Sequence, residues 1–350
     1  MHGEKKIAVI SEDLAEPWDE GIKKYTFSVA EALRGEMPVL LLNVDRSGVD
    51  GKAAERVGGS RTFLSSELRG RLRAFDPDFV LYVPSPSSSQ AGFFRAAALR
   101  RHVPRANSAM VAMIPRKHGR IWRPYLRLTA PDLIFVPSYA TLLYFERMGL
   151  RGEAVPPGVD PECFRPPRGE ERAELRARHG IDEGTFLYLH VGHISRKRNL
   201  LALGALAEQP GAGVIVIGST STPEDASLRS ELEAIGIRVI REYVKVEEYL
   251  RMADCYVFPV EDTEGCIEFP LGVLEALASG LPVLATPFGG LRDFLPEGPD
   301  LLYWSDRGEL RERSEAIRKS PRPEIRDLED FTWKSVASRL LEKLEDEDAS

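Results

Sequence analysis

At 350 residues the chain is too long for one ordinary hydrophobic core and suits two domains of roughly 150–200 residues each. Hydrophobic residues make up 43% and charged residues 29%, which excludes a mostly disordered chain. The net charge of −7 is uneven: residues 1–160 hold 23 Lys/Arg against 18 Asp/Glu, and residues 161–350 hold 24 against 36.

Ile7–Ile10 sit between charges, too few for a signal-peptide core, and read as a first strand. Short apolar runs follow at Val39–Val44, Phe79–Val83, Ala109–Ile114, Leu133–Val136 and Ala154–Val155. Helical patterns lie between them at about 21–34, 65–74, 90–101 and 138–148. This alternation predicts a parallel sheet covered on both faces. No run approaches the roughly 18 apolar residues of a spanning helix, so an integral membrane protein is not expected.

Residues 156–168, PPGVDPECFRPPR, hold five prolines in thirteen positions. Proline removes backbone donors and fixes φ, so the segment marks a boundary between domains 1–160 and 161–325. Strands resume at Thr185–Val191, Gly213–Ile217, Arg238–Ile240, Cys255–Phe258, Pro282–Ala285 and Leu301–Tyr303. Helices fit at 171–179, 197–208, 224–235, 246–252, 271–279 and 306–318, and a charged tail over 323–346 reads as helical. The expected fold is α/β: two doubly wound, Rossmann-like domains facing each other across a cleft, with ligands at the carboxyl ends of the strands. Cys163, Cys255 and Cys266 match no metal spacing, so a reducing cytoplasm and no metal site are expected.

The most informative stretch is 254–290. Strand Cys255–Phe258 runs into an acidic loop over 260–269, then a helix that stops at Gly280. The helix N-terminus offers backbone N–H groups and the positive dipole end to a phosphate. Glu275 lies one turn inside. A carboxylate accepts two hydrogen bonds, as vicinal ribose hydroxyls require, and equally serves as ordinary dipole stabilisation. In VGHISRKRNLLAL, 191–203, a strand ends at Gly192, a loop carries Arg196, Lys197 and Arg198, and a helix opens near Asn199. The guanidinium fork of Arg198 matches a diphosphate, with Lys197 as its partner; a solvated basic loop is the alternative.

The run PLGVLEALASGLPVLATPFGG resembles the signature of retaining GT-B glycosyltransferases, specifically glycosyltransferase family 4. The likeness spans nearly the whole chain in order, strongly over 185–295 and weakly over 1–150. It implies a GT-B fold with the donor site in the second domain, the acceptor site in the first, and a C-terminal helix, 326–350, crossing back to the first domain. It assigns the donor ribose to Glu275, and the donor sugar and diphosphate to the backbone of Phe269, Pro270 and Leu271, although Pro270 has no N–H to give. The family's Gly-Arg pair and following Lys map onto Gly192, His193 and Arg198; a neutral imidazole at His193 supplies no fixed charge at pH 7. Gly289 and Gly290 match a Gly-Gly beside the donor phosphate or sugar, with Asp293 where many members have Glu. Gly21, in EPWDEGIKKY over 16–25, maps to the acceptor side, and His118 in IPRKHGR maps to a histidine beside the donor sugar. Ser138 in DLIFVPSYA reads chiefly as an N-cap.

One departure stands out. The family has a second Glu with seven residues between the pair, and that position here is Ile267, with Glu268 beside it and Glu264 nearby. Either a small shift of the loop lets Glu268 meet the transferred sugar, or the contact is absent. The resemblance implies transfer of a sugar from a UDP- or GDP-linked donor to an acceptor hydroxyl on a glycan, lipid or small molecule. No cofactor is implied beyond the nucleotide sugar itself. The rival is a non-catalytic nucleotide-sugar binder or scaffold, for which Ile267 and His193 speak; an epimerase or phosphorylase on the same fold is a third reading.

Residues 79–131 contain no Asp or Glu and nine Lys or Arg. Such a stretch predicts an anionic acceptor or an anionic membrane surface as partner of the first domain. Within it, AGFFRAAALRRHV (91–103) mixes arginines with Phe93 and Phe94, an interfacial pattern, although each phenylalanine singly also suits a core. No nucleic-acid module is present, so nucleic acid is not an expected partner. The expected location is cytoplasmic, peripheral on the inner face of the membrane.

Overall fold

The computed structural model describes residues 4–12, 14, 20–44, 54–58, 61–85, 87–220, 225–263, 266–320 and 323–346. Glu264 and the stretch 16–19 lie outside them. In chain order the first elements are β1 (Ile7–Ser11), α1 (Gly21–Arg34), β2 (Val39–Asn43), β3 (Glu55–Arg56), α2 (Ser66–Phe75) and β4 (Phe79–Val83). There follow α3 (Gln90–His102), β5 (Asn107–Val111), α4 (Arg123–Thr129), β6 (Leu133–Val136), α5 (Tyr139–Arg147) and β7 (Gly152–Ala154). Next come α6 (Glu171–His179), β8 (Phe186–Val191), α7 (Gly204–Ala207), β9 (Ala212–Ile217), α8 (Ala226–Ala234), β10 (Arg238–Ile240) and α9 (Val246–Met252). The rest are β11 (Cys255–Phe258), α10 (Leu271–Ala278), β12 (Val283–Ala285), α11 (Leu291–Phe294), β13 (Leu301–Tyr303), α12 (Arg307–Lys319) and α13 (Trp333–Asp346). No helix among the described residues is long and apolar enough to cross a membrane.

The chain divides into two compact units. The first holds Met1–Gly158, Ile267–Phe269 and Trp333–Ser350; the second holds Val159–Cys266 and Pro270–Thr332. In the first, seven parallel strands run in the order β3-β2-β1-β4-β5-β6-β7. Ile7–Ser11 pairs residue for residue with Val39–Asn43 on one side and Phe79–Val83 on the other. Strands β1 and β4 are buried along their whole length, which explains their continuous apolar sequence. Helices α2, α3 and α5 start on serine N-caps at Ser65, Ser89 and Ser138, each accepting a backbone N–H of the first turn. Helix α13 packs on α1, with the Trp333 ring edge-on to Tyr25 at 5.6 Å. Gly158 makes room for it, because a Cβ there would lie 2.8 Å from the indole.

The second unit has six parallel strands in the order β10-β9-β8-β11-β12-β13. Its most demanding interior group is Arg176 of α6, 2% exposed. Its guanidinium donates to the carbonyls of Met252, Glu183 and Thr185 and, at 2.7 Å, to Asp254 Oδ2. Asp254 also accepts from the Leu187 N–H and from Arg172, so one carboxylate ties α6 to the start of β8 and β11.

Several local expectations are corrected. The helix expected over 197–208 is two short 3-10 turns, Arg196–Arg198 and Leu200–Leu203, followed by the four-residue α7. Asn199 breaks it: its backbone is left-handed at φ 52°, and its side chain donates to Glu261 Oε1 at 2.8 Å. The tail is α-helical only from Trp333, after a 3-10 turn at Glu329–Phe331; Pro323 removes a donor, and the Arg326–Asp300 ion pair at 2.6 Å ties the irregular chain between them to the second unit. Helix α4 and strand β3 were not anticipated. In α3, Phe93 is core and Phe94 is exposed, so the interfacial pattern expected there is split between the two surfaces.

Because Asp254 neutralises a buried guanidinium, Asp254→Ala should cost about 3–5 kcal/mol of stability in urea unfolding. The double variant Arg176→Met/Asp254→Ala should lose less than the single one, since no uncompensated charge is left inside.

Candidate functional site

In the second unit β8 and β11 are neighbours, with Cys255 opposite Tyr188 and Tyr256 opposite Leu189. The sequence-predicted donor residues gather at their carboxyl ends. Gly192 leaves β8 with its N–H on the Ile217 carbonyl at 2.9 Å. His193 is half-buried beside it, its carbonyl accepting the Ser195 N–H at 3.1 Å. The basic triplet then splits. Arg196 turns outward to Asp225 and Glu231, Lys197 is exposed, and Arg198 turns inward, its Nη1 donating to Cys266 Sγ at 3.1 Å.

From β11 the chain returns into α10. Pro270 is its N-cap, extended at ψ 121°, with no side-chain cap. Phe269 is fully buried and Pro270 has no N–H, so Leu271 and Gly272 supply the first backbone donors of the helix. Glu275, one turn on, is buried. The Tyr256 phenol connects the pieces. Burial pushes its pKa up, the Glu275 carboxylate adds to the rise, and Arg198 opposes it. Glu275 and Arg198 thus act in opposite directions on one phenol, whose hydroxyl reaches toward the Val191 carbonyl at 3.4 Å. A Cβ on Gly272 would fall on that hydroxyl, so only glycine lets α10 approach this closely. On the next strand end, Gly289 has φ 52° and Gly290 caps α11, while Phe288 packs edge-on to Phe258 at 5.5 Å.

Sequence reasoning missed His190. It is buried in β8, with Nδ1 2.8 Å from the Val257 carbonyl, and Nε2 has no hydrogen-bond partner among the described residues. Burial holds its pKa down to about 4, with Arg198 adding to the fall and the Val257 carbonyl opposing it. The ring is thus neutral at pH 7: Nδ1–H donates to the carbonyl and Nε2 is a bare acceptor. The absent Cβ of Gly192 would sit 3.0 Å from Nε2 and 4.0 Å from Arg198 Nη1. The available signal was a polar residue in the otherwise apolar FLYLHV, two places before a glycine.

In the first unit the structure brings together Ile267, Glu268 and Gly21. Glu268 is buried; its N–H donates to the Met113 carbonyl at 2.9 Å, and its Oε1 accepts from Thr141 Oγ1 at 2.8 Å. It is an anchored acid rather than a solvated loop charge. The Ser138 hydroxyl caps the same turn by accepting the Thr141 N–H at 3.1 Å. Ile267 fills the space over Gly21, where a Cβ would lie 2.6 Å from Ile267 Cδ1. His118 is buried, with Nε2 2.9 Å from the Ser88 carbonyl and its ring edge-on to Phe93 at 5.9 Å. Burial lowers its pKa, Ser88 opposes the fall and Arg116 adds to it. Among the described residues no group of three His, Cys, Asp or Glu gathers as a metal site.

Residues 187–319 match the protein family described as Glycosyl transferases group 1. Sulfoquinovosyl transferase of Arabidopsis thaliana is 28% identical over 201 residues, 52% of this chain and 38% of that protein. A GDP-mannose-dependent alpha-mannosyltransferase of Mycobacterium tuberculosis is 27% identical over 234 residues, 64% of this chain and 59% of that protein. The chain thus spans between about two fifths and three fifths of the length of these curated relatives. Anabaena HepE, solved in complex with UDP and glucose, superposes with a TM-score of 0.74 at 15% identity, over 98% of this chain and 100% of that one. That likeness shows the GT-B fold: two parallel α/β sheets, here of seven and six strands.

Two measurements check this geometry. Unfolded, the His190 ring takes up a proton near the ordinary histidine value of 6.5; folded, it does so only near 4. Its contribution is complete above pH 6.5 and is lost as pH falls toward 4, by up to about 3 kcal/mol. Urea midpoints should therefore drop across that window, and less steeply in His190→Phe. Separately, Gly272→Ala should destabilise the second unit by about 1–3 kcal/mol through overpacking, with part of the loss recovered in Gly272→Ala/Tyr256→Phe.

Proposed function

We propose, from the match of residues 187–319 to the glycosyl transferases group 1 family, that the chain is a retaining glycosyltransferase of that family. It takes a UDP- or GDP-linked sugar and passes the sugar to an acceptor hydroxyl on a glycan, lipid or small molecule. The observation that carries this reading is that the ends of the paired strands β8 and β11 bring together Gly192, the inward-turned Arg198 and the start of α10, which closes on Tyr256 at Gly272. Glu275 accepts the two ribose hydroxyls. Arg198, with Lys197 and the Leu271 and Gly272 N–H groups, binds the diphosphate and stabilises the charge that grows on it as the donor bond breaks. His193, Gly192, Gly289 and Gly290 line the same end of the sheet. In the transfer, the bond from the anomeric carbon to the diphosphate oxygen breaks, the acceptor oxygen bonds to that carbon, and its proton leaves with the diphosphate. Glu268 and His118 are the groups assigned to the sugar, and Gly21 to the acceptor side. The named ligands of HepE and of the mycobacterial enzyme support UDP and GDP as the candidate donor bases.

One observation favours a second reading, a nucleotide-sugar binder that does not transfer. Ile267 fills the space over Gly21 with hydrocarbon at the position where the family resemblance implies a carboxylate.

Calorimetric titration with UDP, GDP and ADP should show binding of one nucleotide. Arg198→Ala and Glu275→Ala should each weaken it about 10- to 100-fold, the loss of a charge-assisted hydrogen bond. No binding by any of the three would remove the donor-site reading. Binding without release of sugar to water or to any acceptor would leave the binder.

A further inference from the structure

The acid-free stretch 79–131 is not used evenly. Two of the three arginines of α3 already have partners: Arg95 pairs with Glu12 at 2.6 Å, and Arg100 donates to the Ala130 carbonyl at 2.7 Å. The next segment differs. Helix α4 is anchored from beneath by fully buried Leu126, and Arg123 and Arg127 both donate from Nε to the Met148 carbonyl at 3.2 Å. Its outer side and the turn before it are exposed, with Trp122 edge-on to Tyr125 at 5.8 Å. Ile121 is 86% exposed, Leu128 80% and Trp122 42%, and Arg116, Lys117 and Arg120 are exposed beside them. Large apolar side chains at that exposure are costly in water unless something covers them.

We propose that segment 116–128 docks the first unit on an anionic bilayer surface. Ile121, Trp122 and Leu128 enter the boundary between headgroups and acyl chains, while Arg116, Lys117 and Arg120 pair with lipid phosphates. A lipid surface accounts for both halves of the pattern: positive charge without any intervening carboxylate, and aliphatic side chains that a polyanion in solution would leave wet. A protein partner accounts for it less well, because three apolar side chains on one short segment fall far short of the roughly 800 Å² that a specific interface buries on each partner. Neither Arg198 nor Glu275 takes part in this docking, and His118, the one residue of the segment assigned above to the sugar, is buried with its ring on the Ser88 carbonyl and is not among the docking side chains.

The test is flotation of the full chain with vesicles of phosphatidylcholine alone and of phosphatidylcholine with phosphatidylglycerol. Binding is expected only to the anionic vesicles, falling as salt rises. Ile121→Ser/Leu128→Ser should weaken it about ten-fold or more, and Arg116→Gln/Lys117→Gln/Arg120→Gln by about five-fold for each charge removed. Both variants change only exposed side chains, so unchanged unfolding midpoints and unchanged UDP titrations confirm that the fold and the donor site are intact. The proposal is overturned by no binding to anionic vesicles, by equal binding to neutral ones, or by full binding of either variant. Displacement from the vesicles by free glycerol phosphate would also overturn it, making the segment a small-anion site.

Discussion

Everything at the candidate donor site depends on two adjacent parallel strands ending at the same level. With β8 and β11 in register, Gly192 and the loop to α10 leave the sheet side by side. A parallel sheet covered by helices on both faces has no free face for a ligand, so chemistry is confined to such strand ends. The close seat of α10 against Tyr256 then follows from one missing methyl group at Gly272. Were α10 held further out, Glu275, three residues on, would stand further from the Tyr256 phenol. The site is thus set by backbone approach, and its charged side chains are arranged on that frame.

The electrostatics follow from burial as much as from charge. The second half of the chain is strongly acidic, yet the group that faces the candidate diphosphate position is a guanidinium. The triplet achieves this by division of labour: Asp225 and Glu231 hold Arg196, which leaves Arg198 as the inward cation. His190 stays uncharged beside it, because a second positive charge in that buried position would have to overcome both desolvation and repulsion from Arg198. Cys266 is governed by the same pair of effects: burial pushes its thiol up while Arg198 pulls it down.

Much of this was legible in the sequence, for identifiable reasons. The alternation of short apolar runs with helical patterns yields the two parallel sheets because buried parallel strands tolerate few polar residues, and Ile7–Ser11 and Phe79–Val83 carry almost none. What was not legible turned on single residues acting through space. Asn199 reads as a helix start, but its amide finds Glu261 and its backbone goes left-handed, which ends the turn that aims Arg198. His190 reads as one more strand residue until Val257 and Arg198 are placed around it. Phe93 and Phe94 are equivalent in sequence, and only the rotation of α3 sends one inward.

Ile267 and Glu268 show how far one loop position separates packing from chemistry. The two are adjacent, so their side chains leave the chain in different directions. The branched hydrocarbon lies against Gly21, and the carboxylate takes the Thr141 hydroxyl while its backbone is pinned to Met113. A glutamate at 267 would bring its charge against the start of α1, into space now filled by the isoleucine carbon over Gly21. The acid at 268 already has a hydroxyl donor and a fixed backbone, which lowers the entropy lost in holding it still. The loop thus carries a buried, oriented acid at Glu268, and the packing contact over Gly21 falls to Ile267.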